Sequence, residues 1–175
     1  TDLSSLSITG ASNIGANVTT TGAQTYTGAV TLSGGARTLT GASINTRSTL
    51  NGGGNALTIT GAADIDGDYT DLSSLSITGA SNIGANVTTT GTQSYAGAVI
   101  LSSDVTFSTA DSSADALSFG ASIDGDGVAL RSLDTRSNGT VTFAGSIGVN
   151  DKLNSLTTAE QTGDYVVPTL SLIHI

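Results

Sequence analysis

Apolar residues recur along this chain in short alternating triplets. Leu57-Thr58-Ile59, Leu75-Ser76-Ile77, Val105-Thr106-Phe107, Leu117-Ser118-Phe119 and Val141-Thr142-Phe143 each place a hydroxyl between two apolar side chains. That alternation is the signature of a strand with one buried face. Several triplets run into a small-residue corner and then another apolar residue, as in Ile8 to Ile14, Ile59 to Ile65, Phe119 to Ile123 and Phe143 to Ile147. Equivalent triplets lie 20 residues apart from Leu39 to Ile59, 18 from Ile59 to Ile77 and 24 from Phe119 to Phe143. Spacings near 20 fit one coil of a β-solenoid with about three short strands per turn. At about 4.8 Å per coil, seven to nine coils predict a rod of roughly 35 to 45 Å.

A duplication points the same way. Residues Thr1 to Gly22 recur letter for letter as Thr70 to Gly91, an offset of 69 residues. The match continues to Ser33 and Ser102 with four changes. Copying extends a stack of coils freely, whereas a copied half-sandwich has no reason to pack on itself. The expectation is therefore an all-β parallel solenoid, with β-sandwich repeats as the alternative. One continuous array is expected over residues 1–164, followed by a tail at 165–175.

Composition narrows the chemistry. The 175 residues include 23 Gly, one Pro and no Cys, Met or Trp, with 11% charged and 4% aromatic. Few helix-favouring residues are present, and the alternating apolar runs argue against disorder. The net charge is −9, and Arg37, Arg47, Arg131, Arg136 and Lys152 are the five basic residues. No basic patch is available to neutralise phosphates, so no nucleic-acid partner is expected. No run nears the roughly 18 apolar residues of a spanning helix, so this segment is not expected to insert into a membrane. The lack of cysteine fits export without disulfides.

Asp and Asn gather where corners are expected: Asn13, Asn51, Asn55, Asp64, Asp66, Asp68, Asn82, Asp124 and Asp126. Asp64, Asp66 and Asp68 around Gly67 form the sharpest candidate for chemistry, a calcium site. Alternating carboxylates can wrap an ion that takes about six to eight oxygens. The EF-hand glycine and terminal glutamate are missing, and a solvated acidic corner is the plain reading. Asp124-Gly125-Asp126-Gly127 and Asn51-Gly52-Gly53-Gly54-Asn55 are weaker versions. No catalytic set is expected. The mixture of Arg131, Asp134 and Arg136 reads as ion pairs at a turn rather than as a sugar-cleaving site. No phosphate loop is present: Gly34-Gly35 and Gly52-Gly53-Gly54 lack the lysine and the helix. Runs such as Val18 to Thr21 and Leu57 to Thr60 raise an ice- or glycan-binding hydroxyl face, but the uneven spacing of the coils speaks against a regular ladder. Asn17-Val18-Thr19, Asn86-Val87-Thr88 and Asn138-Gly139-Thr140 match the glycosylation acceptor, as triplets do by chance in a chain this rich in Asn and Thr.

The segments Thr19 to Leu32 and Thr88 to Leu101, with Gln24, Tyr26, Gln93 and Tyr95 at their centres, resemble the repeats of giant bacterial surface proteins of the filamentous-haemagglutinin and large-adhesin type. Gly139 to Gly148 followed by Leu153 to Thr157 resembles another unit of such arrays. The resemblance implies a right-handed parallel β-helix, secretion to the bacterial surface by an autotransporter-like route, and a role in adhesion or biofilm. Partners would be glycans or proteins of host or neighbouring cells, engaged by a longer protein of which this is an internal stalk segment. Self-association through open solenoid ends is a further expectation. The last six residues, Leu170 to Ile175, resemble a translated transposon adapter, and the single His174 lies among them.

Overall fold

The computed structural model describes residues 3–109 and 116–159 and the strand Leu170–Leu172. Among the described residues there are strands and turns and no helix. Every strand pairing is parallel. The chain winds through about seven coils of a β-solenoid. The sandwich alternative fails because no antiparallel pair occurs among the described strands. The end of the array at 164 and most of the expected tail lie outside the described residues. Of the tail, the strand Leu170–Leu172 continues the stack by pairing with Val141–Phe143.

Each coil contributes one strand to each of three faces. The first face runs from Leu6–Ile8 through Gln24–Tyr26, Ile44–Thr46, Ala63–Ile65, Ser81–Ile83 and Val99–Leu101 to Ile123–Gly125. The second stacks Ser12, Val30, Leu50, Tyr69, Val87, Phe107 and Thr135. The third stacks Val18, Leu39, Ile59, Ile77, Tyr95, Phe119 and Phe143. Leu39 with Ile59, Ile59 with Ile77, and Phe119 with Phe143 are direct partners, so spacings of 20, 18 and 24 residues all register one coil. Extra residues are absorbed between strands, and the column is undisturbed.

Alternation decides what enters the core. In Gln93–Tyr95, Leu117–Phe119 and Val141–Phe143 the outer two residues are buried and the middle one is half-buried. Tyr95, Phe119 and Phe143 stack along the third face at 5.1 and 5.3 Å between ring centres, with planes 12° and 3° apart. Phe107 comes from the second face and meets Tyr95 and Phe119 edge-on at 5.0 and 5.2 Å. Such pairs add about 0.5–1.5 kcal/mol each beyond area burial. A narrow interior with few aromatics thus concentrates them where the coils are largest.

Corners between the third and first faces are built on glycine. A Cβ on Gly61 would collide with the Gly41 carbonyl, one on Gly79 with the Gly61 carbonyl, and one on Gly97 with the Gly79 carbonyl. The backbones of successive coils touch there, and any larger residue would force the coils apart.

The exact duplication does not land where a whole number of turns would put it. From Ile8 to Ile83, through Tyr26, Thr46 and Ile65, is four coils on the first face. Ile77, the copy of Ile8, lies one strand short of Ile83 and belongs to the third face. The 69-residue unit therefore spans three and two-thirds coils. Ser12 of the second face is copied as Ser81 of the first, and Val18 of the third as Val87 of the second.

The local structure survives this move intact. In the first copy the Gln24 side-chain amide donates to Val18 O at 3.2 Å, Thr20 Oγ1 at 3.4 Å and Thr40 O of the next coil at 2.8 Å, while Tyr26 OH donates to Gln24 Oε1 at 2.9 Å. In the second, Gln93 donates to Val87 O at 3.2 Å, Thr89 Oγ1 at 3.3 Å and Ser108 O at 2.7 Å, and Tyr95 OH to Gln93 Oε1 at 3.0 Å. Thr20 and Thr89 donate in turn to the carbonyls of Gly22 and Gly91. This buried network locks a corner to the coil that follows. It is formed by the residues that carry the sequence resemblance.

Two outcomes follow for stability. Gln93→Ala removes all of these bonds, leaves the Tyr95 hydroxyl without its partner in the interior and opens a cavity. The expected loss is about 3 kcal/mol in urea unfolding, against about 1 kcal/mol for Tyr95→Phe. Equal small losses would contradict the network's role. Burial pushes the Tyr26 phenol up to about 12 and raises Tyr69 and Tyr95 further, with a hydrogen bond from Thr46 partly offsetting the rise at Tyr69. Unfolded tyrosines ionise near ~10. Above that pH the unfolded state has lost protons that the folded state keeps, so stability falls as pH rises. Melting temperature should show no tyrosine-linked change below about pH 10 and drop from there upward. A melting temperature unchanged to pH ~12 would refute the burial of these phenols.

Candidate calcium corner and outer surface

The three carboxylates of the calcium candidate are drawn into three separate tasks. Asp64 is in mid-strand on the outside of the first face, between the inward-facing Ala63 and Ile65. Its Oδ1 accepts from Asn82 Nδ2 at 2.9 Å, and its Oδ2 is 2.6 Å from Arg47 NH1. The same guanidinium nitrogen pairs with Asp66 at the following corner. The hydrogen bond to Asp66 is the chief cause of a raised Arg47 pKa. Asp68 Oδ1 accepts the backbone N–H of Asn86, one coil further on, at 2.9 Å. Two of the three charges are thus shared with one arginine, and the third caps backbone. Among the described residues no group of three or more His, Cys, Asp or Glu is placed to hold a metal ion.

Asp124 and Asp126 also serve the fold. Burial alone would raise the Asp124 carboxyl. Hydrogen bonds from the Asn150 backbone and side chain, at 2.9 and 3.0 Å, together with others from Asp151 and Ser122, outweigh that and hold it below its ordinary value. Asp126 is held at about 2, first by the Arg131 guanidinium, whose NH2 is 2.6 Å away, and then by the N–H groups of Val128 and Ala129. These bonds fix two neighbouring loops that leave Val128, Leu130 and Val149 84%, 63% and 66% exposed. In the third candidate, Asn51 Oδ1 accepts from Gly53 N and Asn55 Nδ2 donates to Gly52 O, both at 2.8 Å, closing the glycine turn on itself.

The mixed cluster of Arg131, Asp134 and Arg136 separates into two ion pairs. Arg131 pairs with Asp126, and Arg136 NH2 lies 2.8 Å from Asp134. The Arg131 pair is part-buried, not a fully exposed turn contact. Asp134 Oδ1 is buried with no hydrogen-bond partner. Arg37 folds back onto the carbonyls of Ile14, Ala36 and Ser33.

Two expectations need correction. Asn13, Asn51, Asp64, Asn82 and Asp124 lie within strands, not at corners, because they occupy outward positions flanked by inward residues. The uneven spacing of the coils also does not prevent an aligned hydroxyl column. Thr38, Thr58, Ser76, Ser94, Ser118 and Thr142 are successive partners on the outside of the third face. The paired form, with a second Thr two residues on, is complete at Thr38/Thr40 and Thr58/Thr60.

One device had no signal in the pattern of single residues. At the corner before the second face, Asp68 accepts from Asn86 N, Asn86 Oδ1 from Thr106 N at 2.9 Å, and Asp104 Oδ1 from Ser132 N at 2.8 Å. Each Asx side chain caps the coil above it. Asn17, the copy-mate of Asn86, does the same for Thr38 N at 2.9 Å, at a different corner. Two of the three glycosylation-type triplets thus contain caps. No family model, curated protein or solved structure matches this chain.

The pairing with Arg47 gives a direct check on calcium. Millimolar calcium should leave the melting temperature of the parent chain unchanged. Arg47→Ala releases Asp64 and Asp66, and calcium should then raise its melting temperature. A calcium-dependent rise in the parent would show that the carboxylates can leave the arginine.

Proposed function

We propose that this chain is a rod segment of a large exported bacterial surface protein of the adhesin type, acting by length and presentation rather than by chemistry. The observation that carries the reading is the duplicated unit. It keeps its strand register, its Gln–Tyr network and its Asx cap on whichever face it falls, so the rod lengthens by copying without a new core. The candidate acidic, basic and glycine-rich clusters are all engaged in holding coils and corners. An enzyme of this architecture would need carboxylates convergent on successive coils. In this reading the segment lies outside the cell, and contacts with surface glycans or proteins are made by the longer protein. The acidic surface limits close approach of neighbouring rods.

A second reading, a glycan- or ice-binding face, is favoured by the hydroxyl column from Thr38 to Thr142. It would make the third face the working surface of this chain by itself.

Small-angle scattering on the full chain, and on the chain with residues 1–69 added again ahead of Thr1, separates these readings. A rod segment gains about 18 Å in maximum dimension per added unit, three and two-thirds coils at about 4.8 Å each. No gain in length would sink the rod reading. Retention of the parent chain on insoluble polysaccharide or on growing ice, abolished by bulky substitutions at Ser76 and Ser94, would favour the second.

A further inference from the structure

We infer that the 69-residue unit turns its surface by one face with every copy, so that three successive copies show the same outer groups to all sides of the rod. This deepens the rod reading and rests on it. Ser7 faces outward on the first face beside Thr25, whereas its copy Ser76 faces outward on the third beside Thr58 and Ser94. Asn13 and Asn82, and Thr19 and Thr88, are displaced between faces in the same sense. The displacement is built into the unit, because eleven strand-and-corner steps do not divide into whole coils of three.

Three features let the unit tolerate it. The Gln–Tyr network is the same at Gln24 and Gln93 although one lies on the first face and the other on the third. The Asx cap is the same at Asn17 and Asn86 although the corners differ. The glycine corner Thr9-Gly10-Ala11 leads into the second face, and its copy Thr78-Gly79-Ala80 into the first. No face therefore has a private sequence requirement that the copied strands fail to meet.

The consequence is a surface of a particular kind. Residues 3–33 carry no charged side chain, so each copy presents an uncharged patch of Ser, Thr and Asn. In a row of copies these patches follow a three-step screw around the axis, about 18 Å apart along it. A flat partner would meet the same patch on only one copy in three. Discrete partners arranged around the rod would meet it on every copy. The unit fits the second kind of partner.

Cysteine pairs in the full chain and in the chain extended by residues 1–69 test the turn directly. Parallel neighbours about 4.8 Å apart lie within disulfide reach. Thr58→Cys with Ser76→Cys should cross-link under mild oxidation, and Asp64→Cys with Ser76→Cys should remain reduced. In the extended chain, Thr58→Cys of the added copy should likewise close with Ser7→Cys of the original. Ser7→Cys with Thr25→Cys serves as a same-face control. Closure of either Asp64 pair in place of its Thr58 pair would mean a whole number of coils per unit and would overturn the inference. So would closure of the control alone. A gain in length with the wrong cross-links defeats the turn and leaves the rod reading standing, whereas no gain in length defeats the rod reading itself.

Discussion

Everything in this structure depends on the hydrogen bonds between one coil and the next. A chain with 23 glycines and few aromatics has no large core to hold it. The parallel ladder satisfies backbone groups by stacking, and the apolar columns need only fill a narrow interior. That requirement explains the glycine corners at Gly41, Gly61, Gly79 and Gly97, where neighbouring backbones come too close for a side chain. It also explains why every long connection leaves the register of the flanking strands unchanged.

The buried polar groups refine this plan. A glutamine inside a narrow apolar column is costly unless every bond is made. Gln24 and Gln93 make theirs to their own corner, to a tyrosine and to the coil ahead. Not all such groups are satisfied. Ser12 and Ser81, copies of one another, each bury a hydroxyl without a partner, on different faces. The imperfection is copied along with the unit, as expected if a duplication was kept whole rather than refitted to its new place.

The coil and its register were legible because they rest on local alternation. The triplets ending at Ile59, Ile77, Phe119 and Phe143 declared both their inward side and their distance to the next coil. The turn of the repeat was not legible. Identity between Thr1–Gly22 and Thr70–Gly91 shows equal local shape, but the face on which a copy falls depends on the summed length of the connections between. The carboxylates show the same limit. Asp64, Asp66 and Asp68 look convergent as neighbours in sequence, yet their partners Arg47, Asn82 and Asn86 are neighbours only across coils. The hydroxyl column was hidden for a related reason: spacings of 18 to 24 residues look irregular along the chain and are regular across it.

The Asx caps and the glutamine bonds share a direction. Asn17, Asp68, Asn86 and Asp104 each offer an acceptor to a backbone N–H that comes later in the chain, and Gln24 and Gln93 each reach a later carbonyl. A finished coil therefore carries a ready set of partners for the coil not yet formed, while the new coil brings few for the one behind. Order of this kind favours folding as a zipper that runs from the first coil toward the last. A chain emerging with its amino end first would fold as it appeared, each coil serving as the template for its successor.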